Sequence, residues 1–269
     1  MEHTAAAHEV GGHAQEAASP HLPTLVSILK QHFPHHPVVE FLGAWENVLF
    51  AFLVALIIST LVFVGMRRPQ IVPAGLQNAI EAVFDGLSGF FKGILGAAGE
   101  RYTAFPVTLF LYIWGMNIIG LVPFMKSSTS VVTTTAALAI CVFLYVQSIG
   151  LSRLGLLGYL DHMAGNPRNI FQFLLAPLMF VLHVIGELAK PFSLAARLFG
   201  NISGEDIMIA VFVGFGAASL SFLKAPIGIP FHFPFFFLAL LFSTLQALVF
   251  SLLSTVYIVL MLPHEEHTE

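Results

Sequence analysis

The chain is poor in charge and almost without cysteine, and each shortage closes off a class of protein. Asp, Glu, Lys and Arg make up 10% of its 269 residues, whereas 57% are hydrophobic and the mean hydropathy is +0.86. Soluble domains carry roughly a quarter charged residues, so a chain of this composition belongs in a bilayer. The net charge of -4 includes no basic block of the kind that binds nucleic acid. Cys141, the single cysteine, has no partner for an internal disulfide and lies in an apolar run, where it reads as packing. The first stretch of chain holds Glu2, Glu9 and Glu16 but no Lys, no Arg and no apolar core, so no secretory leader is expected.

What the amino terminus does have is histidine: His3, His8, His13, His21, His32, His35 and His36. Their spacing matches no defined metal site, so neither a metal nor a cofactor is expected. Residues 1–44 are read as an external, partly disordered segment, residues 45–262 as the membrane domain, and residues 263–269 as an acidic cytoplasmic tail.

A helix needs about 20 apolar residues to cross about 30 Å of hydrocarbon at about 1.5 Å per residue. Upright spans are predicted over 48–66, 105–124 and 131–150, the last two joined at Met125–Ser130 by a turn that permits only an antiparallel hairpin. Residues 76–98 are interrupted by Glu81, Asp85 and Lys92, with Phe84, Leu87, Phe90, Phe91 and Leu95 at helical spacing, which predicts a helix lying on the membrane surface. A polar loop is expected around Arg153, Asp161 and Arg168. The apolar stretches 169–223 and 233–262 are too long to stand upright and should be strongly tilted or bent. The fold class is therefore an all-α membrane protein with about five transmembrane helices and one surface helix. Arg67, Arg68, Lys92, Arg101, Arg153 and Arg168 fall in two sets of loops on one side. Placing that side in the cytoplasm puts the amino terminus outside and the carboxyl terminus inside.

The long stretch carries Glu187, Lys190, Arg197, Glu205 and Asp206. Each charge at bilayer depth costs roughly 2.5–3.5 kcal/mol on insertion scales, so each is a functional candidate. At about 100° per residue, His183, Glu187, Lys190, Arg197, Asn201 and Glu205 share an arc of about 80°, with Asp206 nearly opposite Arg197. Pro191 blurs that geometry with a kink. Glu187 and Lys190 are spaced to neutralise each other, so Lys190 is either functional or merely a counter-ion. Arg197 has no such neighbour: Ser193, Leu194, Gly200 and Asn201 lie three or four residues away, and Glu205 is about 12 Å along the axis. A guanidinium keeps its proton at any working pH and cannot relay one. Titratable groups on either side of a fixed cation are the pattern of two half-channels with a barrier between them. On the last helix Ser243, Gln246 and Tyr257 project within about 60° of one another with Ser254 close by. Gln246 needs partners in hydrocarbon, and Asn201 or Arg197 could provide them. His232 is either a proton inlet or a solvated interfacial residue.

The run Lys190-Pro191-Phe192-Ser193-Leu194-Ala195-Ala196-Arg197-Leu198-Phe199-Gly200-Asn201 resembles the signature of the subunit a family of F-type ATP synthases. Thr244 to Phe250 resembles that family's second signature, and Asn117 to Pro123 its hairpin turn. The likeness covers roughly Trp45 to Leu262. It implies a proton-translocating stator subunit of a bacterial inner-membrane complex, not an enzyme by itself. Its implied partners are a ring of c subunits, the b-subunit peripheral stalk and the rest of the ATP synthase. It implies that Arg197 faces the ring and that Asn201 and Gln246 line the same interface. The family's acid nine positions after its arginine corresponds to Asp206, with Glu205 beside it. Where some members carry an ionisable residue seven positions before the glutamine, this chain has Ala239, which leaves the external path to Glu205, Asp206 or His232. On the exit side, Glu187 fits one family pattern and His183 another. Sodium remains the alternative coupling ion. A self-contained transporter would need inverted repeats, and none is clear in the sequence. An intramembrane enzyme would need a nucleophile–base pair or metal triad, which the Ser and His spacings do not supply.

Overall fold

The computed structural model describes residues 24–33, 36–165, 169–219 and 233–262. Most of the histidine-rich segment, the acidic tail, Arg168, Lys224 and His232 lie outside these. All regular structure among the described residues is helical: α1 (Leu25–His32), α2 (Pro37–Ala44), α3 (Glu46–Gly65), α4 (Leu76–Gly99), α5 (Ala104–Gly120), α6 (Val132–Met163), α7 (Ile170–Ser219) and α8 (Phe233–Leu260), with short 3-10 turns at Glu100–Tyr102 and Ser128–Ser130. Five of these, α3, α5, α6, α7 and α8, are long and apolar enough to cross a membrane. The protein is thus an all-α membrane protein with the span count expected. α4 is not among the five; it buries Phe91 and Leu95 and packs against α8.

At about 1.5 Å per residue, the 50 residues of α7 extend about 75 Å and the 28 of α8 about 42 Å. Both exceed the hydrocarbon thickness. Pro177 and Pro191 lie inside α7. Each removes a backbone donor, a loss that membrane helices tolerate when neighbouring groups re-satisfy the freed carbonyls. The core lies between α5, α6, α7 and α8, where Ile113, Met116, Val142, Val146, Leu194, Leu198, Ala247 and Phe250 form one buried cluster. Apolar surface gains little here from leaving lipid, so close packing and interhelical hydrogen bonds carry the association.

Two sequence expectations need correction. The first part of the loop predicted after residue 150 is helical: α6 continues to Met163, with a break at Gly155 (φ 68°, ψ 172°), a backbone region nearly confined to glycine. Arg153 and Asp161 gave this stretch a loop-like polarity, but its leucines sustain a helix beyond the kink. The chain folds back there, so that a Cβ at Gly150 would meet the Tyr159 ring at 3.1 Å. Within residues 1–44, read as partly disordered, the described part holds α1 and α2. Finally, α5 ends at Gly120, short of Phe124. Phe124 adopts φ 67°, and a side chain at Gly120 would lie 2.9 Å from the Ser127 backbone nitrogen, so the chain must leave the helix there.

Candidate functional site

The helical period of α7 sorts its side chains into two faces. Leu194, Leu198, Ile202 and Glu205, at intervals of three to four, are buried against the core. Ser193, Ala196, Arg197, Gly200, Asn201 and Gly204 are exposed. Nothing stands within 4 Å of where a Cβ would sit at Gly186, Gly200 or Gly204. The exposed face is therefore shallow, and Arg197 is the charge upon it. Among the described residues no carboxylate forms an ion pair with Arg197; the three pairs present are Lys92–Glu100, Lys126–Glu46 and Lys190–Glu187. On an ideal helix both Glu187 and Glu205 lie about 80° from Arg197, at the edge of the arc turned toward the other helices. That angle explains why the acids are buried while the guanidinium is exposed.

Toward the α5–α6 turn, Glu205 accepts a hydrogen bond from Ser243 Oγ at 3.2 Å. Asn117 Nδ2 donates to the Ser243 carbonyl at 3.1 Å, and Thr129 Oγ1 donates to Asn117 Oδ1 at 2.6 Å. Ser127 and Thr129 share a further bond at 2.7 Å. Asp206, on another face of α7, looks toward Ser130 and Lys126 in the turn. Lys126 in turn lies 3.9 Å from Glu46 at the start of α3. Polar groups therefore run from the turn down to Glu205.

Between Glu205 and Arg197, Asn201 Nδ2 donates to Gln246 Oε1 at 2.6 Å, the pairing the sequence allowed. Gln246 is buried, and its amide nitrogen has no hydrogen-bond acceptor among the described residues.

On the opposite side of Arg197, the buried Glu187 forms an ion pair with Lys190 and accepts from Gln147 Nε2 at 3.0 Å. Tyr159 donates its hydroxyl proton to Gln147 Oε1. The Lys190 ammonium sits 5.2 Å from the centre of the Tyr257 ring, and Tyr257 lies within the electrostatic reach of both Arg197 and Glu187. Glu187, Lys190, Leu194 and Tyr257 help line a cavity of about 10 Å³, the least space that holds one water.

His183 is exposed one turn from Glu187. Ser254 donates to the Phe250 carbonyl of its own helix at 2.8 Å and joins neither cluster. Sequence reasoning missed Gln147, Tyr159, Thr129 and Lys126, and it used Asn117 only as part of a turn motif. The available signal was an amide in the middle of an apolar span, which Gln147 and Asn117 both present.

Residues 48–259 match the family described as ATP synthase A chain. The chain is 47% identical to ATP synthase subunit a of Protochlamydia amoebophila, covering 92% of this chain and 91% of that protein. It is 34% identical to ATP synthase subunit a of Moorella thermoacetica over 80% of this chain and 89% of the relative. With ATP synthase subunit a of Solidesulfovibrio magneticus the identity is 37%, over 79% and 82% respectively.

Proposed function

The chain belongs to the ATP synthase A chain family, and from that premise we propose that it passes protons to and from the carboxylates of a rotating ring of c subunits. The observation that carries this reading is Arg197, a guanidinium without a carboxylate of its own among the described residues, on a shallow exposed face. Small residues at Ala196, Gly200 and Gly204 would let the helices of a ring approach closely. A ring carboxylate arriving about 4 Å from Arg197 would gain roughly 4 kcal/mol at an effective dielectric of 20. That equals about three units of its pKa, enough to strip its proton.

The two polar clusters would be the half-channels. Protons enter from outside along the α5–α6 turn past Asp206 and Glu205, and pass Ser243, Asn201 and Gln246 to the ring. The unpaired Gln246 donor suits a water or an acceptor in that path. After the ring has turned, they leave past Glu187, Gln147 and Tyr159 to the cytoplasm, with Lys190, Tyr257 and His183 around the exit. His232 remains a proposed inlet group. In this reading the amino terminus is outside, the carboxyl terminus and the α4 surface helix are on the cytoplasmic side of a bacterial inner membrane, and the b-subunit stalk anchors the chain. The subunit would perform no chemistry alone.

Arg197→Ala tests the mechanism: proton-driven ATP synthesis in inverted vesicles should vanish while the assembled complex retains the subunit. Synthesis at the wild-type rate would reject it.

A further inference from the structure

The two amino-terminal helices present an apolar surface that no other described residue covers. No residue of α1 is buried, and an eight-residue helix is not stable alone in water. Leu25, Ile28 and Leu29 fall on one half of α1, with Phe33 at its C-cap, whereas Ser27, Lys30 and Gln31 occupy the other half. α2 repeats the pattern with Val38, Phe41, Leu42 and Trp45 at intervals of three and four. Of these, Leu25, Phe33, Val38, Phe41 and Trp45 are each at least half exposed.

Three features set where this surface sits. Leu25 N donates to the Phe124 carbonyl at 2.9 Å, which ties α1 to the α5–α6 turn. Thr24 Oγ1 donates to Glu46 Oε1 at 2.6 Å, and Thr24 with Ser27 forms a capping box at the start of α1. Past Trp45, where the backbone departs from helical angles, exposed apolar side chains continue along α3 at Val48, Leu49, Phe52 and Leu56. A face continuous with a membrane span, amphipathic, and closed by a tryptophan at the junction has the makeup of an interfacial helix.

We infer that α1 and α2 lie in the bilayer interface on the side of the α5–α6 turn, with their apolar faces in phospholipid, and anchor that turn at a fixed depth. The occupant is lipid because the surface extends the lipid-facing side of α3. The inference depends only on the chain spanning a membrane, not on which ion it conducts or which side is outside.

The test places a nitroxide at single cysteines replacing Leu29, Phe41 or Gln31, with Cys141→Ser, in the assembled complex freed of its other cysteines and reconstituted in phosphatidylcholine vesicles. Labels at Leu29 and Phe41 should collide more with oxygen than with a water-soluble nickel complex, at a depth of about 5–10 Å below the phosphates. The label at Gln31 should show the reverse preference. Preferential contact with nickel at Leu29 and Phe41 would overturn the proposal, since those faces would be in water. Shielding of both positions from both reagents would also overturn it, because a partner subunit would then be the occupant. Proton pumping measured on the same vesicles separates this outcome from any failure of the translocation mechanism.

Discussion

Substituting Lys190 by methionine would leave Glu187 as a buried acid without its counter-ion. At about 4 Å and an effective dielectric of 20, an ion pair is worth roughly 4 kcal/mol. The side chains of Lys190 and Glu187 are 23% and 10% exposed, so solvent recovers part of that. The contact with Tyr257 adds roughly 0.5–1 kcal/mol, while Gln147 still donates to the carboxylate. Breaking a fully buried pair costs about 3–5 kcal/mol. Lys190→Met should therefore destabilise the subunit by on the order of 2 kcal/mol, about 4–8 °C in Tm at this chain length.

The double variant Glu187→Gln with Lys190→Met decides what the pair is for. It leaves no charge at this pair and keeps an amide where Gln147 bonds, so its stability should return to within about 1 kcal/mol of the parent. Proton flux, read as quenching of an acridine dye in inverted vesicles during ATP hydrolysis, should stay low in the double variant and in Glu187→Gln alone. If the double variant pumps as well as the parent, Glu187 is only a counter-ion to Lys190 and the exit assignment is wrong. If Lys190→Met melts with the parent, the pair contributes nothing and the electrostatic reasoning fails as well.

Gly200→Leu should leave the fold and thermal stability of the chain little changed, because nothing beyond its own stretch of helix lies within 4 Å of the missing Cβ. It should nevertheless abolish co-purification with the c ring, and retention of the ring would refute the shallow-face argument. Glu205→Gln, next to Ser243, should cut proton flux on the order of 100-fold, the scale of losing one proton-transfer group. Asp206→Asn, directed at the turn, should cost less, and an inverted ranking would move the inlet to Asp206. Gly155→Ala forces alanine into a backbone region costing about 1–3 kcal/mol. It should loosen the fold-back at Tyr159, seen as faster proteolysis between residues 155 and 165; unchanged cleavage would show that the kink carries no strain.

The length of the apolar runs was enough to find the spans. Runs of about 20 apolar residues in α3 and α5 declare themselves, because a bilayer requires every backbone group to be satisfied within the helix. The same rule hid the end of α6. Its segment past Gly155 keeps helical spacing, but Arg153 and Asp161 lower the average hydropathy, and a positive φ at a single glycine leaves no mark in composition. The order of α1 was equally hidden, since it depends on Thr24 reaching Glu46, which is 22 residues away in sequence.

At the site, what could be read was whatever a single helix determines. The 80° offset that turns Arg197 outward and both acids inward follows from 3.6 residues per turn, and so does the facing pair Asn201 and Gln246 once two helices lie side by side. What could not be read depends on the register between helices. Gln147 meets Glu187 because α6 slides along α7 until Val142, Val146, Leu194 and Leu198 interlock, and packing of that kind leaves no periodic trace. Asn117 meets the Ser243 carbonyl for the same reason, through the packing of α5 on α8. The cation without a carboxylate near it on its own helix was visible because that isolation is a property of one stretch of sequence; the routes that would serve it were not, because each is assembled from three or four helices.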